Sequence, residues 1–120
     1  MSLLVNIFVL DENGRMDIVE NNQINELAGF ESCRTNLYGN DISKNLGLKL
    51  LPLLADESAL YIQNDELDIL EKEIKVILDN LELYVNQGFY DGKYISARLQ
   101  NVLESIWEAK NINDGQIVIW

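Results

Sequence analysis

Enzyme chemistry near neutral pH leans heavily on histidine and on reactive cysteine. This chain of 120 residues has no histidine and one cysteine, Cys33. The commonest general base and the commonest zinc ligand are therefore missing. Cys33 as a nucleophile would need a base beside it, and only lysine or a carboxylate could serve. A small, partly buried apolar residue is the simpler reading. With a single cysteine there is no internal disulfide, and nothing points to an oxidising compartment. Carboxylates are plentiful, with 20 Asp and Glu, so chance pairs abound. A glycosidase-type dyad, however, requires two carboxyls across a cleft with their pKa values driven apart. Most acids here fall on what read as solvated helix faces.

Two stretches imitate cation loops. Residues 11–17 place oxygen ligands at alternate positions, but Met16 stands where a calcium loop needs glycine and Asn22 where it needs a bidentate glutamate. That stretch reads as a hairpin turn, and residues 111–115 receive the same reading. Gly39, Gly47 and Gly88 stand alone, so there is no glycine-rich phosphate loop. No catalytic residue, metal site or cofactor is expected, and the chain reads as a non-enzyme.

What remains is surface recognition, and it centres on residues 64–86. Leu67, Leu70, Ile74, Ile77, Leu78, Leu81, Tyr84 and Val85 recur at steps of three and four, the stripe of one long helix. Asn64 or Asp65 is placed to cap it, and Gly88 to stop it. Residues 65–82 carry seven acids against two lysines, a local net charge of −5. Glu66, Glu71, Glu73, Asp79 and Glu82 are the candidate contacts on this helix, joined by Phe89 and Tyr90 just after it. Aromatics beside charge are the composition of interface hot spots.

The other elements must hold that helix. Residues 3–10 are apolar on both faces and read as a central strand. Asn13-Gly14 is a hairpin signal, with a short return strand at 16–20. Ile24, Leu27 and Ala28 have helical spacing, predicting up to two turns of helix before Gly29. Residues 30–41 read as a surface-spanning connection tied down by aromatics. Ser43 is the predicted cap of a leucine-rich helix over 46–54, kinked by Gly47 and Pro52. A short strand at 59–62 leads into the main helix. A second long helix over 94–111 should pack antiparallel to it. Asp114-Gly115 turns into a last strand, 116–120, which should pair beside residues 3–10.

The expectation is one domain, 1–120, of the α+β class. It has a small mixed or antiparallel sheet with the N-terminal and C-terminal strands central, packed against an antiparallel helix hairpin. The net charge is −11 and the hydrophobic fraction 48%. The first argues against nucleic acid and anionic membranes as partners, and the second against disorder. No run is long enough to span a bilayer and no signal peptide is recognisable, so a cytoplasmic location is expected. The preferred function is a non-catalytic acidic protein-binding module, of the immunity or inhibitor type that neutralises a basic bacterial toxin or nuclease. The first alternative is a homo-oligomeric structural or scaffold protein, dimerising through the C-terminal strand or the exposed aromatics. The second is a small-molecule-binding domain with a pocket under residues 30–41.

Overall fold

The computed structural model describes residues 2–120. Its first strand, β1 (Ser2–Leu10), is rich in branched and aromatic residues that suit a pleated surface. The turn after it is set by Asp11, whose Oδ1 accepts from the backbone N–H of Asn13 at 2.8 Å and of Arg15 at 2.9 Å. Gly14 takes φ +75°, and β2 (Met16–Val19) returns antiparallel. The far end of the same β1 edge is taken by β3 (Leu27–Phe30). On its other edge β1 pairs with β5 (Gln116–Ile119), which in turn pairs with β4 (Leu60–Ile62). Every pairing is antiparallel, and the first and last strands are central, as expected.

Several local expectations are corrected. Residues 24–28 form no helix: Gly29 at φ +142° cannot continue one, and pairing with β1 overrides the helical spacing of Ile24 and Leu27. Residues 116–119 offer no free edge for dimerisation, because β5 is bonded on both sides. The helix expected over 65–86 is two, α2 (Glu66–Asp79) and α3 (Leu81–Val85). They part at Asn80, whose Nδ2 donates to Val76 O at 2.8 Å and so competes for a helix carbonyl. The leucine-rich segment is not one kinked helix. A short α1 (Asp41–Asn45) is capped by Asn40 rather than Ser43 and gives way at Gly47 (φ +86°), and a 3-10 turn (Leu51–Ala55) starts around Pro52. Ser43 is buried instead, its Oγ donating to Leu37 O and bonded to the Tyr84 hydroxyl at 2.8 Å.

Residues 30–41 pass inward rather than across the surface. They wind into a π-helical turn (Arg34–Tyr38), with Cys33, Leu37 and Tyr38 wholly buried. Tyr38 donates its hydroxyl to Ala28 O at 2.6 Å. Arg34 fixes the turn from outside, donating to Glu57 O at 2.8 Å and Ser58 O at 3.1 Å.

The last helix, α4 (Gly92–Lys110), begins at Asp91, whose Oδ1 accepts from Tyr94 N–H at 2.7 Å. The helices α2 and α4 pack together, and α4 lies against β1, β3 and β5. The core on that side holds Leu3, Val5 and Ile7 of β1, Ile117 and Ile119 of β5, and Leu70, Ile74, Leu99 and Ile106 from the helices. Side chains alternate along a strand, so the even positions of β1 look the other way. No helix is long and apolar enough to cross a membrane among the described residues.

Candidate binding surface

The helix-borne acids separate into distinct roles. Glu73 falls between Leu70 and Ile74 on the buried stripe and is 5% exposed. Its carboxylate accepts from the backbone N–H of Lys49 (2.8 Å), Leu50 (3.0 Å) and Leu51 (2.9 Å), the start of the 3-10 turn. Three free donors at a helical start and one carboxylate satisfy each other there. Glu71 is held by Lys110 at 2.6 Å and Lys75 at 2.9 Å, with Trp107 Nε1 donating at 3.2 Å. Those hydrogen bonds, Lys110 first, bring its carboxyl down to about 2. Lys110 is raised in return, first by Asp68 and then by Glu71.

Glu66, half-buried in the first turn of α2, accepts from Gln63 N–H at 3.3 Å. Asp79 and Glu82 stand exposed on either side of the Asn80 break. The structure therefore does not bring the five together as one stripe. Glu66, Asp79 and Glu82 face solvent at least in part, Glu71 is neutralised by lysines, and Glu73 faces inward.

Phe89 and Tyr90 do belong to an assembly, and it is larger than the sequence indicated. Phe30, from the end of β3, stacks on Tyr94 with ring centroids 5.0 Å apart and planes 13° from parallel. Tyr94 stacks on Tyr90 at 5.3 Å, and Phe89 adjoins Tyr90 at 6.4 Å. The Arg98 guanidinium lies 4.9 Å from the Tyr94 ring centre, a cation–π contact. Two hydrogen bonds lock the rings: Phe30 N–H donates to the Tyr94 hydroxyl at 2.9 Å, and Ser32 Oγ and the Tyr90 hydroxyl are 2.6 Å apart.

Burial, helped by the neighbouring Cys33, pushes the Tyr90 hydroxyl up to about 12, and burial likewise raises Tyr94. Both hydroxyls are neutral at physiological pH. Yet Phe89 is 56% exposed and Phe30 53%. The result is a cluster of four aromatic rings, in which Phe30 also lies 6.5 Å from Tyr90 and the two phenylalanines face solvent. Phe89, Tyr90 and Tyr94 are close together in the sequence. Phe30 arrives from a strand some sixty positions earlier, and no local pattern signals that.

The space under residues 30–41 is filled by Leu37 and Tyr38. A cleft of about 500 Å3 opens elsewhere, where β2 and β3 part along the β1 edge; Asn21, Asn25 and Glu26 line it and Ser105 reaches it from α4. Among the described residues no group of three His, Cys, Asp or Glu is placed to hold a metal ion. Neither protein-family models, nor curated proteins, nor solved structures match this chain.

Proposed function

We propose that this protein is a non-catalytic binding module that docks a basic protein through the Phe30–Tyr94–Tyr90–Phe89 cluster, as an inhibitor or immunity-type protein would. The observation that carries the reading is the exposure of Phe30 and Phe89 beside two tyrosines whose hydroxyls are fixed by hydrogen bonds. Rings already fixed in place lose little entropy on binding, which is what hot-spot residues require. The net charge of −11 supports a basic partner, drawn in by long-range attraction. Glu66, Asp79 and Glu82 contribute to that field from the solvent side of α2 and α3. Glu71 contributes little to it, because Lys75 and Lys110 already answer its charge.

The test is a pull-down from native lysate, washed at low and then high salt, with mass spectrometry of what is retained. A basic protein held at low salt and released at high salt is the expected result. The same protein should then bind the Phe30→Ala/Phe89→Ala chain at least about tenfold more weakly, the loss typical of a hot-spot truncation. Reversing Glu66, Asp79 and Glu82 to lysine should slow association and leave dissociation nearly unchanged. Equal retention by the wild-type and Phe30→Ala/Phe89→Ala chains removes the aromatic cluster from the interface.

A further inference from the structure

The face of the sheet turned away from the helices has a composition unlike the rest of the chain. On β1 it is formed by Leu4, Asn6, Phe8 and Leu10. Their partners are Met16 and Ile18 on β2, and Gln116, Val118 and Trp120 along and just past β5. Tyr61 of β4 sits opposite Val118 and completes it. None of these ten side chains is charged, in a chain whose residues are 24% charged. An antiparallel sheet with one solvated face ordinarily alternates apolar inward with polar outward. Here the outward positions are apolar as well except for the amides of Asn6 and Gln116, and no described helix packs on them.

The face is covered only by its own aromatics. Trp120 donates its Nε1–H to Asn6 Oδ1 at 2.8 Å, which draws the indole across the neighbouring strand beside Val118. Tyr61 meets Phe8 edge-on at 6.2 Å. Phe8 and Val118 are thereby buried at 2% and 0% exposure, while Leu10, Tyr61 and Trp120 stay 50%, 49% and 38% exposed. Gln116 lies among them at 7% exposure, and its Oε1 is buried without a hydrogen-bond partner.

We infer that this sheet face is the contact surface for a second copy of the chain, face to face across a two-fold axis. Three observations select that occupant. The ten side chains carry no charge with which to choose an oppositely charged partner; the carboxylates beside them, Glu20 and Glu26, lie at the rim, where Glu26 accepts from Asn6 Nδ2 at 3.0 Å. Two chains of charge −11 can therefore meet here without placing acids at the centre of the contact.

Gln116 supplies the second observation. An amide is both donor and acceptor, so it is complementary to its own copy, as a residue near a two-fold axis must be. Its Oε1 is closed off from solvent in the single chain, so pairing with the copy requires the amide to turn towards the contact. The third is extent. The strands β1, β2, β5 and β4 run nine, four, four and three residues. At a rise of about 3.3 Å per residue and a spacing of about 4.8 Å they span on the order of 300 Å2, within the range of the largest apolar patches on monomers. That is the size of the dry centre of an interface whose polar rim completes about 800 Å2 per partner.

The test is sedimentation of the full chain from low to high micromolar concentration, at low and at high salt. The mass should double from one chain to two. The dimer should tighten with salt, because screening relieves the repulsion between two acidic bodies. Tyr61→Glu and Leu10→Glu should each weaken it by about tenfold or more, since each buries an unpaired charge. Phe89→Ala should leave it unchanged, which separates this face from the aromatic cluster of the binding-module reading.

A second readout needs no variant of the face. Trp107→Phe leaves Trp120 as one indole of the original two, and its emission should shift to the blue as the mass doubles. A single-chain mass at every concentration and salt overturns the inference. So does a dimer indifferent to both Glu substitutions, or one whose formation leaves Trp120 emission unmoved. A monomer that retains a different protein through Tyr61 and Leu10 overturns it in favour of a foreign partner.

Discussion

Both faces of the sheet are largely apolar, but they are closed by different means. On one, α2 and α4 cover Val5, Ile7, Ile117 and Ile119, and the buried carboxylate and hydroxyls nearby are answered: Glu73 by three backbone amides, Ser43 by Leu37 and Tyr84, Tyr38 by Ala28, while Arg98 Nε on α4 is buried without a partner. On the other, two aromatic side chains do the covering and the Gln116 oxygen is left unanswered. A face closed by elements of secondary structure, with its buried carboxylate and hydroxyls bonded, is a finished core. A face closed by side chains leaves Leu10, Tyr61 and Trp120 substantially exposed, and it is the face proposed above to meet a second copy.

The sharpest way to break that contrast is to open the helical side. Glu73→Ala leaves the N–H groups of Lys49, Leu50 and Leu51 without their acceptor. A loss of about 3 kcal/mol in denaturant-determined stability is expected, from charge-assisted bonds removed and donors stranded. Glu73→Gln keeps one acceptor oxygen and should lose less. Tyr38→Phe removes the donor to Ala28 O in a fully buried position and should cost about 1–2 kcal/mol. If either variant is as stable as the wild type, the helical side is not closed in the way described.

These same residues show what a sequence conveys and what it hides. The central pairing of the first and last strands was legible because residues 3–10 and 116–119 need burial on both faces, and only central positions provide it. The antiparallel helices were legible from their stripes. Residues 21–55 were not, since their structure depends on contacts distant in the chain. Glu73 resembled one more solvated acid until residues 49–51 came to meet it, and Asn80 looked like an ordinary helix residue until its side chain took the Val76 carbonyl. The candidate surface was half visible for the same reason: Phe89 and Tyr90 are local, whereas Phe30 reaches them only through the pairing of β3 with β1.

On the open face the effects should be smaller and should depend on concentration. Tyr61→Ala and Trp120→Ala each uncover an apolar neighbour but remove a side chain already more than a third exposed. About 1 kcal/mol apiece is expected in dilute solution. If this face closes against a second copy, the fall in Tm should grow with protein concentration, by mass action. Tyr38→Phe should cost the same at every concentration. Thermal melts of the three variants over a wide concentration range distinguish a face that is merely covered from one that is shared.

The smallest effect concerns the solvent side of α2, where charge rather than burial is at stake. Glu71 has a folded-state value of about 2 against an ordinary 4.5, chiefly through Lys110 and then Lys75. A depressed carboxyl contributes its full stability above the ordinary value, and loses that contribution as the pH falls from there towards about 2. The lysine partners are partly exposed, at 33% and 56%, so solvent screens the pair and the net contribution should be about 1 kcal/mol or less. Wild type and Glu71→Gln should therefore differ by that amount above pH 4.5. Their stability curves should converge as the pH approaches 2. Denaturant midpoints measured across this window give the comparison directly. Parallel curves would mean that Lys75 and Lys110 do not hold Glu71, and its carboxylate would then rejoin Glu66, Asp79 and Glu82 among the groups free to attract a basic partner.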